Sequence, residues 1–341
     1  VGIATTIGIE CRADFSHTRL NGRRINNPEQ ISNAYILLHG IPHSRIDAVK
    51  DYFEPFILAR HKRNRLMTGR INQLLLPFNI ELSYERDVLP LSNHHDGGTV
   101  TERHLLYALV RHLVRTFGKG EPLIDFLKRK MGIPVAPEVN EQVLDKGNLF
   151  YEYDLLGLLK GEFVGVFYVD ATDECPEISR VISFSKNCDC ICAYAYLGDV
   201  EMSVTGDKKP QKFEDEYLDE LIALIKELGF EAVTYMPSRN SLSQLERIMN
   251  LCRKNGLLQI SGEDINSPRQ PFVNSAMLNG EFHHLVDTTW ALIGHEKAAT
   301  VDSKIGFFSA EIIKKYPDLN QRIQFFKAIG LNAHAITANP H

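Results

Sequence analysis

The sequence predicts an α/β protein built from parallel βα units and interrupted by a large helical insertion. Strand-like and amphipathic helix-like segments alternate from about residue 161 to residue 264. Residues 16–147 break that alternation and are rich in Arg, His and Asn in mostly helical patterns. Strand, helix, strand, helix at this spacing means parallel pairing, in a Rossmann-like sheet or a (β/α) barrel. A chain of 341 residues suits one barrel-sized domain plus an addition. The expected division is a barrel portion at 1–15 and 148–341, with a helical insertion at 16–147.

The opening VGIATTIGIECRADF reads as a buried strand from Val1 onward, with Glu10 at its carboxyl end. A domain seldom starts inside its core, so further residues of the same fold are expected upstream. QISNAYILLHG, the long stretch from His43 to Leu76, and TERHLLYALVRHLVRTFG read as insertion helices. The run Arg60, His61, Lys62, Arg63, Arg65 and Arg70 reads as a solvated helix face, or else as a face that recruits an anion. GEFVGVFYVDAT (161–172) reads as a strand, PEISRVISFSKNCD as a helix, and CICAYAYLGD (190–199) as the next strand. DEYLDELIALIKELG and SLSQLERIMNLCRKNG are amphipathic helices, each stopped by glycine, and FEAVTYMP and LLQISGED are the strands that follow them. GEFHHLVDTTWALIGHEKAA and SAEIIKKYPDLNQRIQFFKAIG read as two more amphipathic helices that close the chain.

The chain is 44% hydrophobic and 24% charged, which is enough apolar material for a large core. With 38 Lys and Arg against 43 Asp and Glu, the formal charge is -5, which disfavours a nucleic-acid partner. No run of 18 apolar residues is present, so no membrane helix is expected. Cys188, Cys190 and Cys192 alternate along one apolar stretch and read as buried core thiols. A metal knuckle would need a second ligand pair at suitable spacing. That cysteine usage fits a reducing cytoplasm.

Chemistry in parallel α/β folds gathers at strand ends. Here those ends carry Glu10, Asp170, Tyr196 with Asp199, Tyr235 with Met236, and Glu263 with Asp264. A carboxylate at a buried strand tip is costly unless it meets a cation or an arginine. Glu10 and Asp264 therefore read either as a divalent-metal pair or as partners of Arg103, Arg239 or Arg269. In SNHHDGGTVTERH, Thr99 or Thr101 can cap a helix starting near Glu102, and the glycines before it make an anion cradle or a flexible loop. His94, His95 and His104 lie nearby. Proline between His39 and His43 argues against a helical metal pair there.

Gly8-Ile9-Glu10, VTERHLLYALVRHLV and GFEAVTYMPSRNSLSQLERIMNLCRKNGLLQISGEDIN together resemble the polymerase-and-histidinol-phosphatase (PHP) family. SGEDINSPRQ, TVTERHLLYAL and AYAYLGD resemble a bacterial PHP subgroup of predicted hydrolases. The resemblance spans nearly the whole chain and is strongest over residues 215–270. It implies a distorted seven-stranded (β/α) barrel whose metal ions hydrolyse phosphoesters through metal-bound hydroxide. On that basis Glu10 and Asp264 are metal ligands, and zinc, manganese or iron is the cofactor. Arg103, His104 and Tyr196 are then catalytic candidates, and Arg239, Arg269 and Asn266 contact a small phosphorylated substrate. The sequence departs from the family where histidines are expected, at Tyr196, Met236 and Asn266. The family's first His-x-His and Asp-His strands would precede Val1. The departures leave a rival reading, a catalytically silent PHP-like binding or regulatory module. A third is a lyase or isomerase using Glu10 and Asp264 as acid and base.

Overall fold

The computed structural model describes residues 3–200, 211–265 and 267–337. Five strands form one sheet in the order β1-β2-β3-β4-β5: β1 Gly8–Asp14, β2 Asn33–His39, β3 Ile191–Ala195, β4 Ala232–Tyr235 and β5 Leu258–Ser261. β1 pairs antiparallel with β2, setting Glu10 opposite Leu37 and Arg12 opposite Tyr35, and β2 pairs antiparallel with β3. Only β3, β4 and β5 run parallel. Among the described residues the sheet is mixed and open rather than a closed parallel ring.

Helices α1 Ile46–Leu75, α2 Glu102–Phe117, α3 Glu121–Asp125, α4 Pro137–Leu144 and α5 Tyr151–Phe167 lie between β2 and β3, followed by α6 Ile178–Asn187. The two βα units were legible in detail. α7 Leu218–Leu228 stops at Gly229 (φ 95°), and α8 Leu242–Asn255 starts on a Ser241–Gln244 capping box and stops at Gly256 (φ 62°). α9 His283–Val301, α10 Ala310–Lys315 and α11 Leu319–Thr337 complete the described fold. No helix among the described residues is long and apolar enough to cross a membrane.

Two expected elements change type. GEFVGVF, expected as strand, is the last turns of α5, and QISNAYILLHG, expected as helix, contains β2. α5 buries Leu155, Leu156, Leu158, Leu159, Phe163 and Phe167 around most of its circumference. β2 is an interior strand with neighbours on both sides. Both therefore present near-continuous apolar runs, which carry no period to tell helix from strand. β2 also places a sheet strand inside the segment 16–147. Glu10 is the third residue of β1, not its carboxyl end.

Three apolar clusters organise the molecule. On one sheet face, Cys11, Ile36, Tyr194 and Val233 pack under α6, α7, α8 and the front half of α1. On the other, Ala193, Ala232 and Ile260 pack under α9, α10 and α11. α9 and α11 touch backbone to backbone: a Cβ on Gly294 would lie 1.9 Å from the Phe326 carbonyl oxygen, and one on Gly330 2.1 Å from that of Trp290. The third cluster joins the rear half of α1 to α2, α3, α4 and α5. Cys188, Cys190 and Cys192 are buried free thiols, and burial pushes Cys190 up to about 12.

One buried carboxyl, Glu214, and one half-buried one, Glu231, give the fold a pH dependence. Glu214 accepts the Leu197 amide at 2.8 Å and the Tyr194 hydroxyl at 3.1 Å; burial nevertheless pushes it from 4.5 up to about 7. Burial does the same to Glu231, also to about 7, although the Cys192 amide reaches it at 3.3 Å. A raised folded-state value means the folded chain holds these protons after the unfolded chain has released them. The contribution is complete below pH 4.5 and is lost as pH rises through about 7. Urea unfolding of Glu214→Gln against the parent should show the variant gaining relative stability between pH 5 and pH 8. A constant difference over that range would contradict the assignment.

Candidate functional site

The open edge of β1 and the front half of α1 enclose a cleft of about 240 Å³. Its length is apolar, with Ile9, Ile46, Val49, Phe53, Phe56 and Ile57 on the walls. Its polar lining includes Glu10, Lys50, Arg60, Glu174 and, from the loop before α2, Thr99. Thr101 caps α2, as the sequence suggests.

Strand alternation turns Glu10 to the face opposite Ile9 and Cys11. β1 and β5 are the two edges of the sheet, yet Asp264, just past β5, is near enough for its charge to act on Glu10. Glu10 is open to solvent on one side, but the protein crowded around its carboxyl raises its pKa, and Asp264 raises it further. Arg12 and Arg60 pull the other way. No group of three or more His, Cys, Asp or Glu able to hold a metal occurs among the described residues. Among the described residues, Glu10 and Asp264 are thus joined by no third His, Cys, Asp or Glu placed to share a metal with them.

Behind the cleft lies a buried ion network that sequence reading missed. Glu174, whose side chain is 1% exposed, accepts from Arg12 Nη1 at 2.8 Å, Arg60 Nε at 3.1 Å and Arg63 Nε at 2.6 Å. Glu102, in the first turn of α2, accepts from Arg63 Nη2 at 2.8 Å and Arg12 Nη2 at 3.3 Å. Burial opposes its ionisation, but Arg12 and Arg63 hold Glu102 down to about 2. Arg12 also donates from Nε to the Tyr35 hydroxyl at 3.1 Å. The basic run is therefore not simply a solvated face. Arg63 is buried, Arg65 pairs with Glu85 at 2.7 Å, and Arg70 donates to the Tyr168 carbonyl. One signal was available in the sequence: Arg60 and Arg63 share the helical stripe of Phe56, Met67 and Ile71, where a solvated arginine does not belong.

The remaining candidates are dispersed. Tyr196 is buried and its hydroxyl donates to Asp215 at 2.5 Å, so it braces the start of α7 instead of facing the Glu10 cleft. His104 Nδ1 accepts the Thr101 amide at 3.0 Å, a capping contact, and burial lowers its pKa. Arg103 stands beside it, half-buried in the first turn of α2. Arg239 donates to the Leu197 carbonyl at 3.3 Å. Arg269 grips Asp154 of α5 through Nε at 2.8 Å and Nη2 at 2.7 Å, and stacks over Phe150. Asn266 lies outside the described residues. Thus the structure sets Tyr196 and Arg269 in structural contacts, and Asp264 acts on Glu10 through its charge.

No family model matches the chain, and no curated protein matches it. Two solved structures are distantly similar. One is a "putative metal-dependent phosphoesterase" from Bifidobacterium adolescentis, with a TM-score of 0.45 and 16% identity over 80% of this chain and 74% of that one. The other is an amidohydrolase from Chromobacterium violaceum with bound sulfate and no metal, with a TM-score of 0.43 and 15% identity over 79% of this chain and 70% of that one.

Proposed function

We propose that the sheet is part of a PHP-type distorted barrel and that the chain serves a metal-dependent hydrolase acting on a small phosphorylated substrate. What supports this reading is that the charge of Asp264, just past β5, acts on the Glu10 carboxyl of β1, with Arg60 acting on the same group. Those two carboxylates would hold the cation, which when bound supplies positive charge to phosphoryl oxygens and lowers the pKa of water. Arg60, anchored through Nε by Glu174, orients a guanidinium at the polar end of the cleft, where a phosphate would sit beside Lys50 and Thr99. The apolar walls exclude water from the ester's other end. Tyr196 has no part in this scheme, because its hydroxyl is committed to Asp215.

A second reading, a binding module that no longer hydrolyses, is favoured by the two-carboxylate donor set. Calorimetric titration with manganese separates these readings. The hydrolase reading expects one cation per chain, weakened at least about tenfold in both Glu10→Ala and Asp264→Ala, with phosphomonoesterase activity lost in parallel. Unchanged affinity in both variants would remove the metal proposal, and intact binding without turnover would leave the module.

A further inference from the structure

We propose that the outer face of α1 is a self-association surface, on which two copies of this chain pair about a twofold axis with their α1 helices antiparallel. The residues of α1 that reach the cleft, among them Ile46, Val49, Phe53, Ile57 and Arg60, share one stripe of the helix. About half a turn away, on the side turned from the cleft and from β1, a second stripe runs through Asp51, Glu54, Leu58, Lys62 and Arg65. All five are exposed. Leu58 is 61% exposed and Leu66, on the same side, 55%. Exposed leucines by themselves are ordinary. What marks this face is the order of its charges.

Asp51 and Glu54 lie seven and four residues before Leu58, and Lys62 and Arg65 lie four and seven residues after it. The stripe is therefore antisymmetric in charge about an exposed leucine, which makes it its own complement when turned end for end. A twofold axis at Leu58 sets that leucine against its counterpart, Glu54 against Lys62 of the second copy, and Asp51 against Arg65 of the second copy, each pair formed twice. A parallel pair would instead place acid on acid and base on base. A partner of one charge sign would be repelled by half of the stripe, whereas a second copy carries the reversed order. Arg65 also pairs with Glu85 at 2.7 Å, but both side chains are more than half exposed, and such a surface pair exchanges for Asp51 at little cost. A contact one helix wide belongs with the weak associations, which bury less than about 1,200 Å² in total. The stripe faces away from the cleft and involves neither Glu10 nor Asp264, so this dimer and the hydrolase reading stand or fall separately.

Sedimentation velocity on the whole chain, from about 1 μM to about 1 mM, should show a monomer–dimer equilibrium that weakens as salt rises. Leu58→Asp should leave only monomer. Glu54→Lys puts like charges opposite Lys62, and Lys62→Glu puts like charges opposite Glu54, so each variant alone should dimerise at least about tenfold more weakly. Mixed in equal amounts, these two variants should form a heterodimer with about the parent's affinity, because both cross-pairs are again opposite in sign. The doubly substituted chain, Glu54→Lys with Lys62→Glu, should likewise recover self-association. Every change is at an exposed position, so helix content and thermal midpoint should match the parent, which separates lost pairing from lost folding. A parent that stays monomeric throughout, a dimer indifferent to Leu58→Asp, or single variants that fail to pair when mixed would overturn the proposal.

Discussion

Glu174→Ala is expected to destabilise the fold by about 3–5 kcal/mol, the usual cost of stripping one partner from a buried ion cluster. Glu174 is the carboxylate that three guanidiniums share, with Arg12 on β1 and Arg60 and Arg63 on α1. Without it, Arg12 and Arg63, each 6% exposed at the side chain, keep Glu102 alone as a paired carboxylate among the described residues. Two buried positive charges would face one carboxylate, and their mutual repulsion would no longer be balanced. Urea denaturation at pH 7 gives the number directly. Arg63→Met should recover part of the loss in the Glu174→Ala background, because it removes one of the stranded charges. A loss below about 1 kcal/mol would mean that water enters and solvates the cluster.

Gly294→Ala and Gly330→Ala should each cost at least the upper part of the roughly 1–3 kcal/mol range for overpacking. The added methyl at Gly294 would fall 1.9 Å from a carbonyl oxygen of the facing helix, and that at Gly330 would fall 2.1 Å from one. Backbone cannot rotate aside as a side chain can, so α9 and α11 must separate and loosen the apolar cluster they form over β3, β4 and β5. The thermal midpoint should fall in both variants. Gly256→Ala serves as a comparison: its Cβ meets nothing within 4 Å, so its cost comes only from the positive φ. Equal losses in all three would refute the close-packing account.

The parallel half of the fold was legible because α7 and α8 carry both an apolar period and a glycine stop, and the strands after them are short and apolar. The α5 and β2 segments were not, since burial on most sides erases the polar positions that mark a period. The sequence offered Glu10 and Asp264 as a pair of strand-end carboxylates; Glu10 instead lies early in β1, and Asp264 reaches it only through its charge. The Arg12–Glu174–Arg63 cluster could not be paired from sequence. Its members are separated by up to 162 residues, and nothing local distinguishes Glu174 from the acidic residues around it. Tyr196 looked exposed at a strand end because the sequence does not show that Asp215 lies across from its hydroxyl.

α1 runs for 30 residues, its Val49 and Phe53 belonging to the sheet's cluster and its Met67, Ile71 and Leu75 to the helical one. One helix, with Pro55 inside it, is thereby shared between two apolar clusters and anchored near its middle by the salt bridges of Arg60 and Arg63 to Glu174. A change that displaces α1 from its seat in one cluster must therefore also be accommodated where it packs in the other.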